Sequence, residues 1–129
     1  MRIPRTAFLV LLLALAGAPA AWAHARLLRA EPAKGAEVSS APKQIELWFN
    51  ELLEDGFNTV TVFPAAELSL GGKHTNLAKD KPSVDGKDHT HLTVKLPSLP
   101  PGEYVVEWRV LSRDGHSAPG RSTFRVRTP

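Results

Sequence analysis

Apolar and polar residues alternate along five short segments of the chain. The alternation has a period of two, which is the spacing that buries one face of a β-strand and leaves the other face in contact with solvent. No segment shows the spacing of a long amphipathic helix, although 50–56 has room for one short turn. The five predicted strands cover residues 44–49, 59–63, 91–96, 104–111 and 121–127.

Glycine and proline residues separate these segments about every ten residues. Short strands with regularly spaced turns are typical of an all-β domain, and we expect an immunoglobulin-like antiparallel β-sandwich or Greek-key barrel. Residues 99–104 resemble a tyrosine corner, in which Tyr104 bonds back to the loop that precedes its strand. The polar stretch 65–90 is predicted to be a long loop with one weak strand.

Residues 1–23 have the pattern of a secretory signal peptide. Arg2 and Arg5 precede an unbroken apolar run at 8–16, and small residues at 21 and 23 match a cleavage site before His24. The run is too short to span a bilayer, so cleavage is a better interpretation than an uncleaved anchor. We therefore expect a Sec signal peptide at 1–23 and one exported domain at 24–129, with no stable membrane insertion after cleavage.

Composition excludes several kinds of site. The chain carries a net charge of +3, but loss of Arg2 and Arg5 leaves 14 basic against 13 acidic residues, and no basic stripe indicates nucleic-acid binding. There is no cysteine, so neither a disulfide nor a thiolate metal site is possible. The only methionine is Met1, which removes the soft ligands that Cu(I) prefers.

The predicted cleavage makes His24 the first residue of the exported chain. An N-terminal histidine offers an α-amine and an imidazole, and together these can chelate one metal ion. With a third nitrogen from elsewhere, such a set suits tetragonal Cu(II). Arg26, rather than a histidine, occupies the third mature position, so the remaining ligands must come from the fold.

Asp114 and His116 are the best candidates for those ligands. In an extended segment, residues two apart point to the same side, so the carboxylate and the imidazole would converge, and Gly115 between them leaves space. Most Asp-Gly-His triplets are ordinary turns. The coincidence with a histidine at the cleavage site is what makes these two residues candidate ligands.

Several stretches in the same order resemble the CopC family across the expected mature domain. The segment that ends in Ser112-Arg-Asp-Gly-His116 is the most specific of them. The stretches are 24–28, 31–36, 41–42, 45–51, 101–116 and 120–126.

This resemblance implies a periplasmic copper carrier that is not an enzyme and that holds one Cu(II) per chain. The ligands that it implies are His24, through its amine and imidazole, Asp114 and His116. It places Glu51 near the site, where we expect its carboxylate to orient the amine or an imidazole. It also implies a CopD-type membrane transporter as a partner. The methionine-rich Cu(I) site of the family has no counterpart here, and His74 alone cannot replace it, so we expect a Cu(II)-only member.

Two other functions start from the same features. A copper mono-oxygenase also uses an N-terminal histidine, but it needs an open coordination position and a broad aromatic face, whereas Tyr104 and Trp108 fall in an apolar strand row expected to be buried. A metal-free immunoglobulin-like binding module is compatible with the fold. His89 and His91 are expected to face solvent at a strand end and leave open a second, weak metal site.

Overall fold

The computed structural model describes residues 24–129 and contains eight β-strands and one short 3-10 helix. The predicted signal peptide lies outside the described residues. The helix covers Ala65–Ser69. The strands are β1 (Leu27–Glu31), β2 (Ala36–Val38), β3 (Gln44–Phe49), β4 (Thr59–Pro64), β5 (Ser83–Val84), β6 (His91–Lys95), β7 (Gly102–Leu111) and β8 (Ser117–Val126).

The strands form two four-stranded sheets, with the orders β1-β3-β6-β5 and β2-β8-β7-β4. Alternate residues of both sheets are buried in one shared hydrophobic core, as the period-two pattern predicts. The expected all-β sandwich is therefore confirmed. All the pairings are antiparallel except that β2 runs parallel to β8, with Ala36 opposite Phe124.

Aromatic residues of the long strand β7 anchor this core. Trp108 is 8% exposed and packs edge-on against Phe49 of the opposite sheet, with ring centroids 6.1 Å apart. Tyr104 stacks on Phe124, and its hydroxyl donates a 2.6 Å hydrogen bond to the carbonyl oxygen of Pro100. The predicted tyrosine corner and the predicted burial of Tyr104 and Trp108 are both confirmed.

The sequence pattern did not predict β1 and β2. Only Ala30 is buried within β1, and β2 has three residues of which none is fully buried. Both strands lie at sheet edges, where pairing with a single neighbour is enough and one buried face is not required. An alternation of apolar residues therefore does not develop in this part of the chain.

Strand β8 begins at Ser117, four residues before the predicted start, and includes Pro119 and Gly120. Pro119 and Gly120 are among the prolines and glycines that were expected to separate strands, so the turn expected at this pair was wrong. On one side, Pro119 lies opposite Arg109 of β7. On the other side, β2 pairs with β8 only from Phe124 to Val126, so no strand lies beside Pro119 that would need a backbone N–H from it. Gly120 lies opposite Trp108, and its lack of a Cβ makes room for the indole.

The stretch between β4 and β6 contains the 3-10 helix and the two-residue strand β5, as the prediction of a loop with one weak strand anticipated. Part of this loop covers the free edge of β4. The Asn76 side chain accepts a hydrogen bond from the Val62 N–H, and the Leu77 N–H donates to the Val62 carbonyl at 2.7 Å. The N–H and carbonyl groups of Val62, with which another strand could otherwise pair, are thereby hydrogen-bonded.

No helix within residues 24–129 is both long and apolar enough to cross a membrane.

Candidate metal centre

The turn between β7 and β8 carries two of the three predicted ligands. The Ser112 N–H donates to the His116 carbonyl at 3.0 Å, and the Gly115 N–H donates to the Ser112 carbonyl at 2.9 Å. Gly115 has a φ of 89°, in the left-handed region that favours glycine. The expectation of an extended Asp114-Gly115-His116 segment was therefore wrong, because this backbone folds into a tight turn.

The turn nevertheless brings Asp114 and His116 together. Asp114 Oδ1 accepts a hydrogen bond from the His116 backbone N–H at 3.1 Å, and Asp114 Oδ2 lies 3.2 Å from His116 Nδ1. Both side chains remain accessible to solvent. The carboxylate and imidazole therefore converge through a side-chain-to-backbone bond within a turn, and not through the alternation of a strand.

Hydrogen bonding lowers the pKa of the Asp114 carboxyl. The largest cause is the Ser112 hydroxyl, and the backbone N–H and the ring of His116 add to it, so that the pKa of Asp114 falls to about 2. An ionised carboxylate at neutral pH is the form that binds a metal cation, so this residue needs no deprotonation before it can act as a ligand.

His24 lies at the same end of the sandwich. Its ring approaches that of His116 edge-to-face, with centroids 5.7 Å apart. The start of β1 is held there by Asn50, because the Arg26 N–H donates to Asn50 Oδ1 at 2.6 Å and the Asn50 N–H donates to the Arg26 carbonyl at 3.1 Å. The structure thus brings together the two histidines that are 92 residues apart in sequence.

Glu51 lies in the short segment that runs between these two parts of the site. Asn50 bonds to Arg26, while the Leu52 carbonyl accepts from the Arg113 N–H at 3.0 Å and Leu53 bridges to Ser112. The backbone of Glu51 therefore lies between the start of β1 and the 112–116 turn. Its side chain is half-buried. This location is compatible with the orienting role expected for it, which stays a prediction.

Within residues 24–129, no three or more histidine, aspartate or glutamate side chains already surround a common point as metal ligands. His116 contacts Asp114 on one side and His24 on the other. These residues offer nitrogen and ionised oxygen donors, a set that fits Cu(II). The metal ligands named from the sequence are therefore neighbours in space, and their role as a ligand set stays a prediction.

The other histidines contact residues other than the candidate ligands. The His91 ring stacks on Trp48 at 4.2 Å, its side chain is 14% exposed, and its Nε2 lies 3.2 Å from Glu46 Oε1. The expectation that His91 faces solvent was therefore wrong, because the indole covers it. His89 instead contacts the Arg113 guanidinium through Nδ1. The two histidines thus have different partners, which does not favour a shared metal site.

His74 stacks on the fully buried Phe63, with ring centroids 4.0 Å apart. It covers an apolar side chain on the sheet that contains β4. The aromatic face that a mono-oxygenase would need is also not formed by the tryptophans of the domain, because Trp108 is in the core and Trp48 is covered by His91 and by the Arg29 guanidinium at 4.5 Å.

Sequence reasoning missed Ser112 as a member of the site. This residue is 1% exposed, and its hydroxyl donates to Asp114 Oδ1. It falls two residues before Asp114 in the segment most similar to the CopC family. A serine at the end of a strand gives no local sign of burial, so only the fold identifies its partner.

The fold and the site define a class of protein: an all-β sandwich with imidazole and carboxylate donors at one end. A model of the CopC domain matches residues 27–127. The chain belongs to the CopC family, whose members are copper-binding resistance proteins and not enzymes. Its function is therefore related to copper, and the expectation that it is not an enzyme is confirmed.

Similar proteins agree with this assignment. The chain is 38% identical over 110 residues to protein YobA of Escherichia coli K12, covering 84% of this chain and 83% of YobA. It is 36% identical over 134 residues to copper resistance protein C of Pseudomonas syringae pv. tomato, covering 98% and 100%. The crystal structure of CopC from Methylosinus trichosporium OB3b matches with a TM-score of 0.69 and 29% identity, over 80% of this chain and 93% of that one.

Proposed function

We propose that this protein, after removal of residues 1–23, binds one Cu(II) ion in the periplasm and buffers or carries it in copper homeostasis or resistance. The proposed ligands are His24, Asp114 and His116, with Glu51 orienting one of the nitrogen donors. The CopC family consists of periplasmic copper proteins, which supports both the location and the cargo.

The observation that carries this proposal is the proximity of His24 and His116 at one end of the sandwich, where their ring centroids lie 5.7 Å apart. The ionised Asp114 carboxylate lies beside His116. Two imidazoles and a carboxylate are donors that suit Cu(II). The same ligands bind Cu(I) less well, and the only thioether of the chain is in Met1. Reduction of the bound ion would therefore weaken its binding and favour release.

The fourth donor in this proposal is the α-amine of His24. While Ala23 is attached, that nitrogen is a peptide amide and does not bind a metal as an amine does. The complete set of three nitrogens and one oxygen therefore exists only after cleavage. Copper binding is in this way coupled to export, and the protein is kept from competing for copper before it reaches the periplasm.

Delivery to a CopD-type inner-membrane transporter is the second part of the proposal. It rests on the family resemblance and on the exposure of both His116 and Asp114, which leaves the site open to a partner at the end of the sandwich. The site is built on a turn and a strand start, so a partner could reach it without unfolding of the core.

A Cu(II) titration followed by EPR tests the proposal on two forms of the protein, one that begins at His24 and one that retains Ala23. We expect a single tight, nitrogen-rich tetragonal site only in the first form. Equal binding by both forms would contradict the N-terminal chelate. Absence of binding by the first form would overturn the proposed function.

Substitutions in the form that begins at His24 separate the ligands from the orienting residue. His116→Ala should remove most of the Cu(II) affinity, whereas Glu51→Ala should lower it by roughly tenfold to a hundredfold. His74→Ala is the matched control, because that ring packs on Phe63 and should leave affinity unchanged. Equal losses for His116 and Glu51 would mean that Glu51 is itself a ligand.

A further inference from the structure

One buried hydroxyl group, that of Ser112, contacts the candidate site from the interior of the domain. Ser112 follows the last residue of β7, is 1% exposed and forms an isolated bridge with Leu53. Its position is fixed by this bridge and by the hydrogen bond that its backbone N–H donates to the His116 carbonyl across the β7–β8 turn. A side chain held in this way is a rigid reference point for the more exposed residues above it.

The hydroxyl has two acceptors within reach. Ser112 Oγ contacts Asp114 Oδ1, and it also lies 3.1 Å from the His116 carbonyl oxygen. That carbonyl already accepts the Ser112 backbone N–H at 3.0 Å. Because a hydroxyl has one proton and an ionised carboxylate is the stronger acceptor, the proton goes to Asp114.

The two carboxylate oxygens of Asp114 therefore have different hydrogen-bond partners. Asp114 Oδ1 receives the Ser112 hydroxyl and the His116 backbone N–H, both from donors on the turn itself. Asp114 Oδ2 receives neither of these and points to His116 Nδ1 at 3.2 Å. The arrangement leaves Oδ2 as the oxygen that faces the imidazole and any cation bound beside it.

We propose that Ser112 is the positioning residue of the copper site, fixing Asp114 through Oδ1 so that Oδ2 faces the metal. The inference rests on the proposed function and adds to it a residue that the ligand set does not include. Without the hydroxyl, Asp114 would keep the His116 backbone donor and the contact with the His116 ring, but it would lose its only buried partner and gain rotational freedom on an exposed turn. Loss of such a supporting bond typically lowers metal affinity roughly tenfold to a hundredfold.

The alternative is that Ser112 only stabilises the fold. A double-mutant cycle separates the two roles, because a residue that acts through Asp114 has no further effect once Asp114 is removed. Ser122→Ala provides a matched control, since Ser122 is another buried serine, 4% exposed, on the middle of β8 and away from the turn.

The experiment measures Cu(II) affinity by competition titration, together with the EPR spectrum, for the protein that begins at His24. The variants are Ser112→Ala, Asp114→Ala, the double variant and Ser122→Ala. We expect Ser112→Ala to lower affinity at least tenfold and to change the copper hyperfine splitting. In the Asp114→Ala background the same change should alter affinity less than twofold, and Ser122→Ala should leave both affinity and spectrum unchanged.

Two results would overturn the positioning role while leaving the proposed function intact. One is a Ser112→Ala variant with the affinity and spectrum of the unsubstituted protein. The other is an equal loss of affinity with and without Asp114, which would mean that Ser112 acts through the fold. Failure of the unsubstituted protein to bind Cu(II) would instead contradict the proposed function itself.

Discussion

The contact between Gly120 and Trp108 should make Gly120→Ala strongly destabilising. A Cβ at this position would lie 2.3–2.5 Å from three atoms of the indole ring, closer than any non-bonded contact allows. The glycine is needed for space and not for its backbone conformation, because its φ is not positive. The added methyl must therefore displace either the indole or the β8 backbone.

Displacement of the indole is costly because Trp108 is largely buried and packs against Phe49. The ring is 8% exposed, contacts Phe49 edge-on and borders the groove that His24 also lines. Overpacking of a filled core typically costs about 1–3 kcal/mol. For a domain of this size, each kcal/mol corresponds to a decrease in Tm of about 4–8 °C. We expect Gly120→Ala to lower the free energy of unfolding by an amount in the upper part of the range of about 1–3 kcal/mol, since the contact involves three ring atoms.

Urea denaturation followed by circular dichroism measures this cost, and tryptophan emission reports any movement of the indole. Gly86→Ala is the matched control, because Gly86 has no positive φ and a methyl group added there would meet no atom within 4 Å beyond its chain neighbours. In a Trp108→Leu background the cost of Gly120→Ala should largely disappear. A Gly120→Ala protein as stable as Gly86→Ala would refute the steric argument.

Three further predictions concern polar groups. Asn58→Ala should cost about 1–3 kcal/mol in urea denaturation, because Asn58 Oδ1 accepts the Leu111 N–H at 2.9 Å in a buried position. Tyr104→Phe should cost about 1 kcal/mol in the same assay, through loss of the bond to Pro100. Asp114 has a lowered folded-state pKa, so its stabilisation is present above the unfolded value near 3.8 and is lost as pH falls through about 2. Thermal melts between pH 4 and 2 should therefore fall less steeply for Asp114→Asn; parallel curves would contradict this.

The fold class and most of the core were predictable from the order of residues along the chain. Period-two alternation located β3, β4, β6 and β7, because each of these strands has one face in the core and therefore needs apolar residues at alternate positions. The tyrosine corner was also readable, since it depends on residues four apart in the chain. The predicted cleavage before His24, the spacing of Asp114 and His116 and the resemblance to the CopC family named the candidate ligands.

The contacts between side chains of different strands were not predictable from local sequence. Within the edge strands β1 and β2 only Ala30 is buried, so no alternating pattern marks them. The turn expected at Pro119 is instead a strand position that pairs with β7 alone. The solvent-facing prediction for His91 failed because Trp48, directly opposite on β3, covers it. Cross-strand neighbours of this kind are set by sheet pairing, which no local pattern records.

The candidate metal site was also predictable from local sequence only in part. Local sequence was enough to put Asp114 beside His116, although through a turn and not an extended segment. The approach of His24 to His116 depends on the pairing of β1 with β3, and the support from Ser112 depends on its burial beneath the turn. Ligand chemistry is a property of residue type, whereas the approach of His24 to the 112–116 turn is a long-range consequence of how the two sheets pack.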